Sequence, residues 1–357
     1  MILDLLFCKT AANVDIFFIH YPKRLIILHP KSKTTMTTET FATLSILFVC
    51  WIILVILDVT VCGLLYSIFG ISFRKAFLYG LVSFFIPPLC FAYGSLIERN
   101  LVQIKEVEIS STEVPDCFDG YRIVHISDIH ARSFQKRGKA LQKMVARVNG
   151  LEADLIAFTG DIITMNSSEL DNLSHILKEL KAKDGVISVL GNHDYCIYAH
   201  PKAADDDVSK VIEKEKAMGW DILIDENRRI IRGTDTIAVI GVENTSPSRH
   251  FPSKGNLAKA SEGTEGLFRI LLSHDPMHWE MEILGKDYPL TLSGHTHAMQ
   301  FALGKWCLSK YIFHQYRGLY TQDGQNLYVN IGLGETIFPA RIGAVPEITL
   351  ITLKKGS

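Results

Sequence analysis

The chain has no surplus of charge: across 357 residues, 37 Lys and Arg stand against 38 Asp and Glu. A protein that coats nucleic acid usually carries a basic field, so no nucleic-acid partner is expected. There is no CxxC, and the seven cysteines (Cys8, Cys50, Cys62, Cys90, Cys117, Cys196, Cys307) are odd in number. Two of them, Cys50 and Cys62, fall in one apolar run, which leaves neither a disulfide framework nor a thiolate zinc site. That usage fits a catalytic part in a reducing compartment. Nor does a small-residue cleavage site follow the first long apolar stretch, which argues against a signal peptide.

Hydrophobic residues make up 48% of the chain, with the excess in the first hundred positions. FATLSILFVCWIILVILDVTVCGLLYSIF, residues 41–69, carries one charge, Asp58, and exceeds the roughly 20 apolar residues needed to cross a bilayer. After a GISFRK link, AFLYGLVSFFIPPLCFAYG, residues 76–94, is uncharged, with Pro87 and Pro88 placed to kink it. Membrane helices tolerate such prolines. The organisation expected is a basic N-terminal segment (1–40), two transmembrane helices in a hairpin (41–95), a linker (96–107) and a catalytic domain (108–357). Lys23, Arg24, Lys31 and Lys33 precede the first helix and Arg99 and Lys105 follow the second, while Arg74 and Lys75 lie between them. Positive flanks favour the cytoplasmic side, so the protein is expected in the inner or plasma membrane with its large domain cytoplasmic. Asp58 is read as interfacial or as facing the other helix, and Met36 as an alternative start.

Beyond residue 106 the texture changes. YRIVHISDIH (121–130), ADLIAFTGD (153–161), GVISVLGNHD (185–194), LFRILLSHD (267–275) and PLTLSGHTH (289–297) are apolar runs that each break into Asp, Asn or His. GKALQKMVARVNG and SSELDNLSHILKELKAK, between the early runs, have apolar residues at helical spacing. Strands alternating with helices imply an α/β fold, whose binding crevice lies at the carboxyl ends of the strands. A donor set of carboxylate, amide oxygen and imidazole without thiolate suits Mn, Fe or Zn, and Mg only marginally.

The ordered motifs DIH, GD, GNHD, SHD and GHTH resemble the calcineurin-like metallophosphoesterase superfamily over about residues 108 to 355. GNHDY, LLSHDP, GHTHAMQF, LYVNIGLG and PEITLITL resemble its membrane-associated branch, some of whose members hydrolyse the pyrophosphate of UDP-2,3-diacylglucosamine in lipid A synthesis. The resemblance implies a four-layer αββα sandwich and two divalent metal ions, manganese being the one expected in vitro. It implies Asp128, His130, Asp161 and His297 around the first metal and Asp161, Asn192, His274 and His295 around the second, with Asp161 bridging. It implies hydrolysis of a phosphodiester or pyrophosphate by hydroxide held between the metals. His193 would protonate the leaving oxygen, with Asp194 fixing its tautomer. Members often carry Arg where Ile331 stands, which puts a substrate contact there in doubt.

Other residues have plainer readings. His125 is a core or supporting histidine, Met299 and Phe301 pack, and Asp275 and His278 cap and begin a helix. Arg132 either steers phosphate or is solvated. The polar stretch 242–266, with Arg249, Lys254 and Lys259, is a long loop, either a lid for an anionic headgroup or plain surface. The substrate is then a lipid-linked phosphate ester at the bilayer. A broad phosphodiesterase or phosphatase of the envelope, or a silent scaffold, is the alternative.

Overall fold

A computed structural model describes residues 38–198, 204–304 and 306–356. Met36 and the basic residues expected before the first helix lie outside the described residues. Helix α1 (Thr38–Phe69) is apolar on every side, as a helix surrounded by lipid is. A second apolar helix spans Phe73–Asn100, built from α2 (Phe73–Gly80), a 3-10 stretch Leu81–Phe85 and α3 (Ile86–Leu96). Both are long and apolar enough to cross a membrane. The prolines sit in the first turn of α3, where missing N–H groups cost least. Pro88 leaves the Phe84 carbonyl without its helical donor, and Trp51 of α1 supplies one, Nε1–H to Phe84 O at 2.9 Å. Asp58 packs against Gly80 and accepts from Cys62 Sγ at 3.5 Å, so it faces the other helix.

Residues 96–107 differ from the expected linker. A 3-10 turn covers Glu98–Asn100, and β1 (Gln103–Ser111) pairs in parallel with β14 (Glu347–Lys355) from Gln103↔Glu347 onward. The sheet thus begins at Gln103, before the boundary drawn at 108. It continues from β14 through β2 (Arg122–Ile126), β3 (Leu155–Phe158), β4 (Val186–Ser188) and β5 (Asp221–Ile222). A second sheet runs β12 (Gly318–Gln322), β13 (Gln325–Val329), β9 (Leu290–Ser293), β8 (Phe268–Leu272), β7 (Asp235–Gly241), β6 (Glu226–Arg232). A hairpin of β10 (Ala302–Leu303) and β11 (Trp306–Cys307) stands apart.

The sheets face each other. Ile123, Leu155 and Ile187 of the first share one apolar core with Val239, Ile270 and Leu292 of the second. On the outer side of the first sheet, α4 (Gly138–Asn149) and α5 (Ser174–Leu177) pack through Leu141, Met144 and Leu177, with α6 (Ala204–Ala217) adding Val211. Outside the second lie α7 (Leu257–Ala260) and Trp279 of a turn at 279–283. This is the four-layer αββα order, preceded by the helical hairpin.

One helical pattern fails. SSELDNLSHILKELKAK forms only a 3-10 turn at Ser167–Leu170 and the single turn α5. The buried Glu169 carboxylate accepts from the N–H groups of Arg132, Thr164 and Met165, and Ser167 is tied to Asp207 at 2.5 Å. Those bonds fix the segment in a shape that a continuous helix would break.

Candidate metal centre

The five ligand-bearing strand ends come from both sheets: β2, β3 and β4 from one, β8 and β9 from the other. Beyond β2, β3 and β9 the chain turns sharply. Asp128, His130, Asp161, His295 and His297 all have φ between 45° and 71°, a left-handed conformation that non-glycine residues adopt at a cost. His295 and His297 therefore meet the site from a turn, not from same-side projection along a strand. β9 ends at Ser293, and a Cβ on Gly294 would collide with Ser127 and the Asp128 carboxylate. Only glycine lets the chain pass so close, and His295 N then donates to Asp128 Oδ2 at 3.0 Å.

All seven residues expected as ligands converge. His297 Nε2 lies 3.1 Å from Asp128 Oδ1 and 3.0 Å from His130 Nε2. His274 Nε2 lies 3.2 Å from Asp161 Oδ2 and 3.2 Å from Asn192 Oδ1, and His295 Nδ1 is 2.8 Å from the same amide oxygen. Asp161 Oδ2 is also 3.6 Å from His130 Nε2, so one carboxylate stands between the two groups. The ligand atoms of Asp128, His130 and His297 lie within 4.8 Å of one another, as do those of Asp161, His274 and His295. Imidazole nitrogens 3.0 Å apart beside two carboxylates are a donor set that fits divalent cations.

The electrostatics follow from packing. Burial opposes charge on Asp128 and Asp161, but the surrounding histidines hold both well below the usual carboxylate range. Burial likewise opposes charge on His274, and Asp161 outweighs it, raising the ring to about 10. His130 has the opposite balance and is held well below the ordinary histidine value, chiefly by burial.

His193 and Asp194 correct the sequence reading. His193 Nδ1 donates to the Thr164 carbonyl at 2.7 Å, which leaves Nε2 as the ring's open nitrogen. Asp194 is not the group that sets this tautomer. Its Oδ2 accepts from Asp161 N at 2.7 Å and Gly191 N at 2.8 Å, and its Oδ1 from Ile163 N at 3.2 Å. It joins two ligand loops from beneath. Burial and then Asp161 push it up to about 8, against the Gly191 and Ile163 N–H groups.

Supporting residues missing from the sequence reading now stand out. Thr159 O accepts from His274 Nδ1 at 2.6 Å, while its hydroxyl meets His125 Nε2 at 2.9 Å; His125 is fully buried and lowered to about 3, mainly by burial. Tyr198 Oη accepts from Asn192 Nδ2 at 2.9 Å, orienting the amide oxygen inward. Arg341 is fully buried, with Nη2 3.2 Å from His297 Nδ1 and 3.0 Å from Ile331 O. A guanidinium thus lies beside position 331 although Ile331 itself is apolar and buried. A lone arginine in the apolar stretch IFPARIGAVPEI was the available signal.

Asp275 Oδ1 accepts from Met277 N at 2.9 Å, a cap. Phe301 packs on Trp306, and the Arg132 side chain is exposed. The 242–266 stretch is a loop interrupted by α7, and its Phe251 reaches the site, the ring centroids of Phe251 and His295 4.8 Å apart and the rings near perpendicular. Arg249, Lys254 and Lys259 are exposed, Lys254 over the Tyr195 ring.

A β sandwich carrying paired Asp/Asn/His clusters at its strand ends defines a metal-dependent hydrolase of phosphoric esters. Residues 121–299 match the calcineurin-like phosphoesterase family model. An uncharacterised metallophosphoesterase of Bacillus subtilis, YkuE, is 30% identical over 277 residues, covering 74% of this chain and 90% of its own length. The chain belongs to the calcineurin-like phosphoesterase family. A zebrafish transmembrane protein with metallophosphoesterase domain is 31% identical over 80% of the chain, which spans 64% of that relative. The UDP-2,3-diacylglucosamine pyrophosphatase LpxG of Chlamydia trachomatis is 25% identical, covering 70% of this chain and 88% of its own.

Proposed function

We propose that the chain is a membrane-anchored phosphoesterase that cleaves a phosphodiester or pyrophosphate in a lipid-linked substrate, UDP-2,3-diacylglucosamine being the best candidate. The apolar helices are the anchor and the sandwich is the catalytic unit. Asp128, His130, Asp161 and His297 would hold one divalent cation; Asp161, Asn192, His274 and His295 would hold the second, with Asp161 shared. When bound, a pair of such cations acidifies water and neutralises charge on phosphoryl oxygens. His193, with Nδ1–H committed to Thr164 O, offers Nε2 to the phosphoryl group and passes its proton to the leaving oxygen.

The observation that supports a lipid substrate is the seating of the centre at the foot of the apolar helices. Arg341 N meets Gly94 O of α3 at 3.4 Å, while its guanidinium touches His297. A tethered enzyme meets a diacyl substrate at high effective concentration. The test is an assay of purified, manganese-loaded full chain on UDP-2,3-diacylglucosamine beside bis-p-nitrophenyl phosphate. UMP release supports the reading; hydrolysis of the soluble diester alone turns it into a broad phosphodiesterase. The basic flanks support a cytoplasmic catalytic domain. Labelling of the exposed Cys117 by an impermeant thiol reagent only after permeabilisation is the outcome expected.

A further inference from the structure

The β10–β11 hairpin has two unlike faces. Ala302 and Cys307 point inward and pack with Ala298, Ile331 and Ala344, and Cys307 Sγ donates to Ala298 O at 3.1 Å, one residue from His297. Outward, Leu303 is 62% exposed, Trp306 37%, Leu308 41% and Tyr311 63%. Trp306 Nε1 reaches Tyr311 Oη at 3.4 Å, and Lys310 Nζ stands 4.9 Å over the Tyr311 ring. Leu303 and Trp306 on the two-residue ladder, and Leu308 and Tyr311 on the 3-10 turn Leu308–Tyr311 that follows, are all held out, and the Phe301–Trp306 ring contact is not reason enough for the four.

Their neighbours supply one. Ala302 N donates to Ile342 O at 2.8 Å, and Ile342 N to Gln300 O at 2.9 Å. The segment so paired is the one on which the apolar helix docks. Phe91 lies against Phe338 at 6.4 Å, Arg99 Nη1 donates to Pro339 O at 2.9 Å, and Gly94 backs onto Arg341 and Ile342. The hairpin is therefore one hydrogen-bonded step from the place where the helix leaves the bilayer. Ile337, next to Phe338 in that segment, is 55% exposed.

We infer that the 302–311 hairpin is a second membrane contact, with Leu303, Trp306, Leu308 and Tyr311 seated in the interfacial layer of the lipid bilayer beside the helix foot. Trp and Tyr favour that layer because one end of each ring is apolar and the other wet, and an apolar surface of this kind sinks roughly 5–10 Å to the headgroup boundary. Lys310 suits the headgroup side. The hairpin pins His297 through Ala298, and Phe313, just beyond it, lies 5.7 Å from the His295 ring. The contact thus holds the metal centre at the lipid surface, where a phosphate on a lipid headgroup arrives. This rests on the anchoring proposed above and deepens it.

The test uses full-length protein in phosphatidylcholine–phosphatidylglycerol nanodiscs, some with acyl chains brominated near the headgroup. The emission of Trp306 is the difference between the wild-type chain and Trp306→Phe, and that of Trp51 comes likewise from Trp51→Phe. Quenching of both by bromolipid, with Trp306 shielded from acrylamide, is the expected result. Trp51 quenched and Trp306 open to acrylamide overturns the hairpin contact alone. Trp306 shielded from acrylamide yet untouched by bromolipid means that protein covers it, which also overturns the proposal. If Trp51 escapes bromolipid, the anchor fails and the inference falls with it.

Discussion

Arg341 presents Nη2 to His297 Nδ1 at 3.2 Å, from a residue whose own backbone N–H faces Gly94 O of the apolar helix at 3.4 Å. A guanidinium has no acceptor, so across this contact Nη2 can only donate. The same side chain donates to Gly334 O and to Ala344 O at 3.1 Å. One buried cation thus ties the apolar helix, the 331–344 loop and a metal-site histidine into a single unit.

Arg341→Lys tests that unit. An ammonium is a compact donor and lacks the planar fork that reaches several carbonyls together. At least one buried acceptor is left unmade, at about 1–3 kcal/mol each. The variant is expected to melt several degrees lower and to lose metal from the Asp128–His130–His297 group first, read by thermal unfolding and by metal content. Unchanged melting and metal content would reject the role.

His193 and Asp194 are adjacent and should fail differently. His193→Ala removes a ring held by its Thr164 bond and by the His130 and Tyr198 rings, outside both ligand groups, so metal content should hold while turnover falls about 10²–10⁴-fold. Asp194→Ala strands the buried N–H groups of Asp161, Ile163 and Gly191, so it should unfold more easily and bind metal poorly. Kinetics beside metal analysis on the two proteins decides the matter. Equal turnover in His193→Ala and wild type would remove His193 from the chemistry.

The strand ends were legible because each apolar run breaks abruptly into a ligand, and a buried strand announces itself by composition. What supports those ligands was not. Thr164 holds His193 through its carbonyl, Thr159 holds His274 the same way, and every residue has a carbonyl, so no side chain advertises the role. Asp194 misled because sequence adjacency to His193 suggested contact, whereas its carboxylate bonds backbone on the neighbouring loops. The geometry of GHTH was misjudged for a related reason: left-handed turns at His295 and His297 are imposed by the close passage of Gly294 over Ser127, a long-range fact. The failed helix at 167–183 lost to side-chain bonds from Glu169 and Asp207 that periodicity does not register.

Metal uptake should depend on pH with a calculable sign. In the metal-free chain His274 is raised to about 10 by Asp161 against its burial, so it is protonated at neutral pH, while Asp161 stays ionised. Because the folded value lies above the ordinary 6.5, this pair stabilises the metal-free fold fully below about pH 6.5 and progressively less toward about pH 10. A cation at His274 Nε2 displaces that proton. Affinity at this position should rise about tenfold per pH unit below that value and then level off. Calorimetric titration in buffers of different ionisation enthalpy would count the proton released. No proton release at pH 7 from the Asp161–His274–His295 group would contradict the assignment.

Gly94→Leu separates helix stability from docking. In an isolated helix, leucine is better than glycine by somewhat under about 1 kcal/mol, so the substitution should strengthen α3 alone. In the folded chain a Cβ at this position would lie 2.6 Å from Arg341 O and 2.8 Å from Ile342 Cγ1, and neither a backbone carbonyl nor a half-buried isoleucine tied into the loop yields easily. Overpacking of this kind costs about 1–3 kcal/mol, and the strain falls on the segment that aims Arg341 at His297. The expected variant inserts into membranes normally, becomes more susceptible to proteolysis between residues 96 and 103, and loses activity even on a soluble diester. If soluble-diester activity and protease resistance both match wild type, the helix foot and the metal centre are independent, and the coupling through Arg341 is wrong.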